Sequence, residues 1–335
     1  MTQTATIPGA SAAPGPLTQP AGAQSAGRRL VVGIPTAGRP AIVAQTVRFL
    51  ARQSRLPDLL LLSVSDVAHT AGIETTDLPF RVEVLVGGQG LSRQRNAILN
   101  QLGREDLLMF LDDDFLMAPD YLQEVEQIFD DHPDIVMATG TLIADGILGP
   151  GLNFAQGEAL LAEAILTPAE RHFDPVVNGY GCNMAIRAAP VLAHALNFDE
   201  NLPLYSWLED ADFSARLEPY GRFVKPSVTR GVHLGTKTGR TPGLNLGYSQ
   251  IANPVYMLRK GTIAWPRARR LMLRNIASNL LGTLRPRPWA DYRGRLIGNM
   301  TAILDLCLGR CDPQRILGFN RSQTYREGRW RKMAP

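Results

Sequence analysis

Four short strand-like runs constrain this chain more than any other feature. Leu30–Ile34, Leu59–Val64, Arg81–Val86 and Leu107–Leu111 each have the length of a strand, and each runs into a proline, an acid or a glycine turn. Helical spacing fills the gaps between them. Ile42, Val43, Thr46, Val47 and Leu50 share one face after Pro40, and Leu91, Ile98, Leu99 and Leu102 share another. Strand–helix–strand alternation with continuous apolar strands predicts an α/β fold, its mostly parallel sheet flanked by helices on both faces. In open sheets of this kind, ligands bind beyond the carboxyl ends of the strands. Asp66, Gly87-Gly88-Gln89-Gly90 and Asp112-Asp113-Asp114 all stand at such ends. A helix from Pro119 and strands near Ile135–Thr139 and Cys182–Ile186 extend the pattern. Arg-rich helices are expected over 254–262, 266–284 and 292–308.

Composition removes several classes. With 335 residues, 45% of them hydrophobic, the chain can build a full core without disulfides or a structural metal. Three cysteines make no framework. Cys307 and Cys311 lack partners for a zinc site, so free thiols in a reducing cytoplasm are expected. Residues 1–27 carry no charged side chain and lack the basic start and apolar centre of an export signal. They read as a disordered tail. The longest aliphatic run, Leu59–Leu62, is far short of the roughly 20 residues of a membrane span. Charge divides the rest. Residues 1–258 hold 18 basic and 27 acidic side chains, and residues 259–335 hold 17 basic and 4 acidic. After about residue 250 the pattern changes to helices rich in Arg, so the expected organisation is a main domain over 28–250, a basic helical extension over 251–320 and a basic tail over 321–335.

The sharpest chemical feature is the apolar strand Leu107–Leu111 running straight into Asp112-Asp113-Asp114. Residues two apart share a face of a strand, so Asp112 and Asp114 point one way and Asp113 the other. Two carboxylates there offer a hard-oxygen site for Mg²⁺ or Mn²⁺. A solvated acidic turn is the plainer alternative, but it would not need a buried strand to aim it. Glu209, Asp210 and Asp212 follow Trp207-Leu208 at a helix start, where capping explains one acid well and three less well. A carboxylate held there can accept a proton from a substrate hydroxyl. His233 follows a short strand and precedes a loop with Lys237 and Arg240, suiting a metal ligand beside a diphosphate clamp. His69, His132, His172 and His194 have no such setting. No phosphate loop, dinucleotide fingerprint or nucleic-acid module is present.

In this order the residues resemble family 2 of the inverting GT-A glycosyltransferases, over about residues 29–250. Val32-Gly33-Ile34-Pro35-Thr36-Ala37-Gly38-Arg39 looks like the family's first strand and nucleotide loop, with Ala37-Gly38 where an aromatic–Asn pair is usual. Asp66 matches the second-strand acid that contacts the base. Arg93-Gln94-Arg95-Asn96-Ala97 resembles the Ala-Arg-Asn-x-Gly helix start, which places Arg95 and Asn96 near the nucleotide. Asp112-Asp113-Asp114 fills the DxD position, Glu209-Asp210 the Glu-Asp position, and His233 that of a late metal-binding histidine.

The resemblance implies a GT-A fold and transfer of a sugar from a nucleotide-diphosphate donor, most often UDP, to a glycan or lipid-linked hydroxyl, as in polysaccharide biosynthesis. It implies Asp210 as base with Glu209 beside it, and Asp114, Asp112 and His233 on Mn²⁺ or Mg²⁺. Pro35, Thr36, Arg39, Asp66, Arg95, Asn96, Asp112, Asp113, Lys237 and Arg240 are implied at the nucleotide, and Asn183 and Trp207 at the substrates. A nucleotidyltransferase is the enzyme alternative and would want a more basic first loop. A sugar-nucleotide-binding protein without catalysis would be expected to lack Glu209-Asp210. The basic helices suit an anionic membrane surface, giving a cytoplasmic protein peripheral at the inner face of the cell membrane. A packed appendage or an oligomer contact is the other reading. Nucleic acid is not expected, since aromatic residues are sparse there.

Overall fold

The computed structural model describes residues 28–238 and 242–319. The expected tails at 1–27 and 321–335 lie outside the described residues, as does Arg240. The strands are β1 (Leu30–Thr36), β2 (Leu59–Val64), β3 (Arg81–Val86), β4 (Leu107–Leu111), β5 (Phe115–Met117), β6 (Ile135–Thr139), β7 (Thr141–Asp145), β8 (Phe173–Pro175), β9 (Asn183–Arg187), β10 (Arg222–Pro226) and β11 (Arg230–His233). The helices are α1 (Pro40–Leu50), α2 (Leu91–Leu99), α3 (Tyr121–Asp131), α4 (Phe154–Ile165), α5 (Ala188–Ala193), α6 (Glu209–Leu217), α7 (Gly243–Lys260), α8 (Trp265–Leu284) and α9 (Tyr292–Cys307).

Eight strands form one sheet in the order β3-β2-β1-β4-β9-β6-β10-β8. The β3-β2-β1-β4 half is parallel throughout. β9 returns antiparallel between β4 and β6, and β8 closes the far edge antiparallel to β10. Alternation along β1 explains the two-sided core. Leu30, Val32 and Ile34 pack with Val43, Val47 and Leu122 on one face, while Val31 packs with Ile98, Phe198 and Phe213 on the other. Gly33 is where α2 comes closest: a Cβ there would stand 2.7 Å from Ile98 Cγ2.

A second sheet, in the order β5-β11-β7, stands at the carboxyl end of β4. Its register sets His233 opposite Phe115 on one side and Asp145 on the other. The sequence reading had not assigned β7, so it had no means of placing Asp145.

The C-terminal helices correct two expectations. The helix expected over 254–262 begins at Gly243, and Pro254 lies in its interior. The glycines and asparagine of Gly243-Leu244-Asn245-Leu246-Gly247 conceal its start from propensity reasoning. The expected boundary at 250/251 therefore falls inside a helix. Those glycines serve close packing. A Cβ on Gly247 would lie 2.0 Å from the Arg295 carbonyl oxygen, and one on Gly298 would lie 2.2 Å from the Leu244 oxygen. Backbone against backbone cannot yield as a flexible side chain does. Gly247→Ala is expected to cost about 3 kcal/mol, as overpacking does, and urea denaturation would measure it. Asn279 links the three helices, donating to Gln250 Oε1 at 2.8 Å and to Asn299 Oδ1 at 2.7 Å, while Asn299 donates to the Gly247 carbonyl at 2.6 Å. Among the described residues no helix is long and apolar enough to cross a membrane. Cys182 and Cys311 are buried thiols and Cys307 is an exposed one.

Candidate active site

The aspartate triplet forms a tight turn between β4 and β5, closed by the Phe115 amide donating to the Asp112 carbonyl at 3.2 Å. Asp113 turns inward and has no exposed surface. It accepts from the Thr36 hydroxyl at 2.5 Å and pairs with Arg39 at 2.7 Å. Burial pushes its carboxyl up to about 7 against the pull of Arg39. Asp112 and Asp114 turn the other way, toward His233. A carboxylate oxygen of each and a ring nitrogen of His233 all lie within 4.8 Å of one another. The Asp114 carboxylate is steadied by the Thr236 amide at 2.7 Å and by Arg39 at 3.5 Å. Burial works to raise it, but His233 and Arg39 outweigh burial and hold it well below the usual range.

His233 is fixed from behind. Its Nδ1 lies 2.8 Å from Asp145 Oδ1, and Tyr180 donates to the other oxygen of Asp145 at 3.1 Å. The opposite nitrogen, Nε2, faces Asp114 at 3.4 Å and Asp112 at 3.8 Å. Burial works to lower the ring, but Asp114 and Asp145 outweigh it and push it up to about 10. A carboxylate behind a histidine fixes which nitrogen faces the site. Asp145 is thus a positioning residue absent from the sequence reading. It sits at the carboxyl end of a strand, the one signal that could have exposed it.

The donor set fits a divalent cation. Two carboxylates and one imidazole suit Mn²⁺ or Mg²⁺. Asp114 Oδ1 is buried with no hydrogen-bond partner. Such an orphaned acceptor is costly unless a ligand satisfies it.

The second acidic group lies across the loop Tyr180–Cys182. The Cys182 carbonyl accepts from the Asp112 amide at 3.0 Å, and the Gly181 amide donates to Asp210 Oδ2 at 3.2 Å. Adjacent residues of one loop therefore hold Asp112 and Asp210. Glu209 is buried and pairs with Arg95 at 2.5 Å. Arg95 is itself 1% exposed, donates to the Gly181 carbonyl at 2.8 Å and approaches Asp112 at 3.8 Å. It lies beneath the site, holding its parts in place. Burial raises the Glu209 and Asp210 carboxyls above the ordinary range, with Arg95 opposing the rise. Glu209 follows a strained approach. Leu204, Ser206 and Leu208 all have positive φ, at 58°, 51° and 74°. The Leu91 amide holds the Leu204 carbonyl at 2.8 Å, and Asn253 of α7 holds the Trp207 carbonyl at 2.8 Å.

Other sequence candidates have definite places. Pro35 and Thr36 end β1, and Gln94 joins that end to β2 by donating to the Thr36 and Ser63 carbonyls at 2.8 and 2.7 Å. Asp66 is exposed at the end of β2 and caps a short turn by accepting from the Ala68 amide at 2.9 Å. Asn96 clamps the 198–200 loop, donating to the Phe198 carbonyl and accepting from its amide. Lys237 donates to the Gly146 and Ile147 carbonyls at 3.0 and 2.9 Å. Trp207 is half-buried. Asn183 corrects an expectation: it has no exposed surface, accepts from Thr139 at 3.0 Å and donates to Gly140 at 3.1 Å, so it cannot reach a substrate.

Residues 31–155 match the profile of the family described as glycosyl transferase family 2. That segment carries β1 to β7 and the Asp112-x-Asp114 motif. The GT-A fold extends beyond it. A mannosyltransferase from Pyrobaculum calidifontis, solved with GDP-Man and Mn²⁺, is similar at a TM-score of 0.50 and 12% identity, over 88% of this chain and 86% of that one. GalNAc-T7, solved with UDP, GalNAc and Mn²⁺, is similar at a TM-score of 0.50 and 15% identity, over 81% of this chain and 54% of that one. Staphylococcus aureus TarS matches at a TM-score of 0.44 and 17% identity over 61% of this chain, and the match spans only 36% of the TarS chain. No curated protein sequence matches the chain.

Asp212, third acid of the α6 start, is fully buried and belongs to the frame. It accepts from Lys260 at 2.8 Å, Thr262 at 2.7 Å and Arg216 at 2.9 Å, tying α6 to the end of α7. Asp212→Ala would leave those donors facing a void. It is expected to cost about 3 kcal/mol, the lower end for breaking a buried ion pair, measurable by urea denaturation.

Proposed function

We propose that this protein is a metal-dependent, inverting glycosyltransferase of the hexosyltransferase type. It moves a sugar from a nucleotide-diphosphate donor, UDP in the first instance, to a hydroxyl of a glycan or lipid-linked acceptor. One observation carries this reading. Asp112, a member of the cation-competent Asp112–Asp114–His233 group, and Asp210 are held by successive residues of one loop, the first by its amide and the second by its carboxylate.

The residues divide the work. Asp112, Asp114 and His233 would hold Mn²⁺ or Mg²⁺, which supplies positive charge against the leaving diphosphate. Asp145 keeps Nε2 of His233 toward that position. Asp210 takes the proton of the acceptor hydroxyl as its oxygen attacks the anomeric carbon from the face opposite the diphosphate. The new carbon–oxygen bond forms as the bond to the diphosphate breaks, its electron pair leaving with the phosphate oxygen, and the anomeric configuration inverts. Arg95 and Glu209 fix the Gly181 backbone that in turn holds Asp210. Arg39 and Asp66 stand at the strand ends proposed to receive the nucleotide, while Pro35 and Thr36 are buried where β1 ends and shape that end from beneath. The 236–241 segment is proposed to cover the diphosphate and exclude water, with Lys237 anchoring it and Arg240 as its cation.

Mn²⁺ is the first ion to test because two fold neighbours were solved with it. The experiment is a panel of sugar nucleotides incubated with the protein and Mn²⁺, read as slow release of nucleoside diphosphate. One donor hydrolysed in a metal-dependent way supports the reading. A panel with no hydrolysis and no metal-dependent binding by calorimetry overturns it.

A further inference from the structure

We infer that the outward face of α8 and α9 is a docking surface for an anionic lipid bilayer, a property independent of the transfer reaction. The sequence alone shows many arginines here; the structure shows what stands beside them. α8 buries only Ala268 and Asn279 of its 20 residues. Leu273, Leu280, Leu281 and Leu284 fall on one face of it, and Leu281 and Leu284 are 65% and 72% exposed. α9 adds Ile297, Met300 and Leu304, each more than half exposed. Exposed leucines occurring singly are ordinary, but several on one helix face, with more on the helix packed beside it, mark an interaction site.

Charge decides the occupant. Arg269, Arg270 and Arg274 border Leu273 on this surface. α8 contains no acidic residue, and the one acid within α9, Asp305, is buried and paired with Arg310 and Arg315. A second copy would set arginine against arginine around the apolar seam, which works against self-association. A bilayer satisfies both halves at once. Its acyl boundary takes the leucines, and its phosphates take the guanidinium groups at the ends of their long stems. Trp265, 59% exposed at the first turn of α8, suits the headgroup level.

The experiment uses the full chain and co-sedimentation with vesicles of phosphatidylcholine alone or mixed with phosphatidylglycerol, at low and high salt. Binding is expected only to the mixed vesicles and is expected to be lost at high salt. Arg269→Glu, Arg270→Glu and Arg274→Glu together are expected to weaken it about 100-fold or more. Leu281→Ser with Leu284→Ser is expected to weaken it at unchanged charge. All five side chains are exposed, and matching thermal melts exclude misfolding as the cause. Absent binding, or equal binding to neutral vesicles, overturns the inference. So does a parent that sediments as a dimer and becomes monomeric in the leucine variant, which would assign the face to a second copy.

Discussion

Asp210→Asn is expected to lower sugar transfer by about 10²-fold or more, the scale of losing a positioned base, with the fold and donor affinity retained. The amide keeps an oxygen that can accept from the Gly181 amide, now 3.2 Å from Asp210 Oδ2, so the loop holds. What disappears is the ability to take a proton. The pH profile separates this from a structural effect. Burial lifts the Asp210 carboxyl above the ordinary aspartate range. As the proposed base, Asp210 must be deprotonated, so the parent's turnover is expected to fall as pH drops through that raised value, earlier than an ordinary aspartate would allow. The variant keeps its low residual rate without this acid limb. Near-normal transfer by the variant would reassign Asp210 to capping α6. The role could not then pass to Asp212, which is buried and saturated by Lys260, Thr262 and Arg216.

Asp114→Ala is expected to remove most of the affinity for Mn²⁺, about 100-fold or more, since losing even an outer partner of a metal ligand costs 10- to 100-fold. Titration of the protein with Mn²⁺ alone, followed by calorimetry or by the electron spin of free Mn²⁺, reads this without any sugar nucleotide. A second titration with UDP, GDP or dTDP in the presence of Mn²⁺ is expected to show a parallel loss. The variant also releases the Thr236 amide, bonded to Asp114 at 2.7 Å, so the 236–238 segment loses one of its attachments. Asp113→Ala makes the contrasting control. Its carboxylate faces Thr36 and Arg39, away from His233. It is expected to cost stability while sparing Mn²⁺ affinity. Nucleotide binding by Asp114→Ala as tight as the parent's would refute the metal role.

Which parts of this could be read from the sequence follows from the range of the interactions involved. Continuous apolar runs define β1, β2 and β4 because strands buried on both faces need no alternation. The two-residue alternation assigned Asp112 and Asp114 to one side and Asp113 to the other, although the three residues form a turn. That alternation carries on from β4, so the reading survives the change of backbone. Asp145 escaped because β7 is half-exposed and short, and only its register with β11 brings Asp145 to His233. Asn183 was placed at the substrates on order along the chain. Its side chain instead satisfies buried groups around Thr139 and Gly140, a demand set by tertiary packing. Local propensity does not reveal the start of α7, because Gly243 and Gly247 are poor helix formers. They are there to let another helix backbone in, a requirement invisible to local propensity.

The three left-handed residues before Glu209 bear on how this protein can be divided. Backbone of that kind costs about 1–3 kcal/mol per residue and persists only where its surroundings leave it no alternative. Here part of the restraint comes from beyond residue 250, from Asn253 on the Trp207 carbonyl and from Lys260 and Thr262 on Asp212. A fragment cut at residue 250 would keep every carboxylate of the site and lose part of what aims two of them. The loop would relax, and Glu209 and Asp210 would turn with it. The stretch from Asn253 through Thr262 is therefore not a detachable appendage. The shortest piece that keeps these restraints runs at least through Thr262, its stopping point dictated by support for the loop and helix start that carry the proposed base.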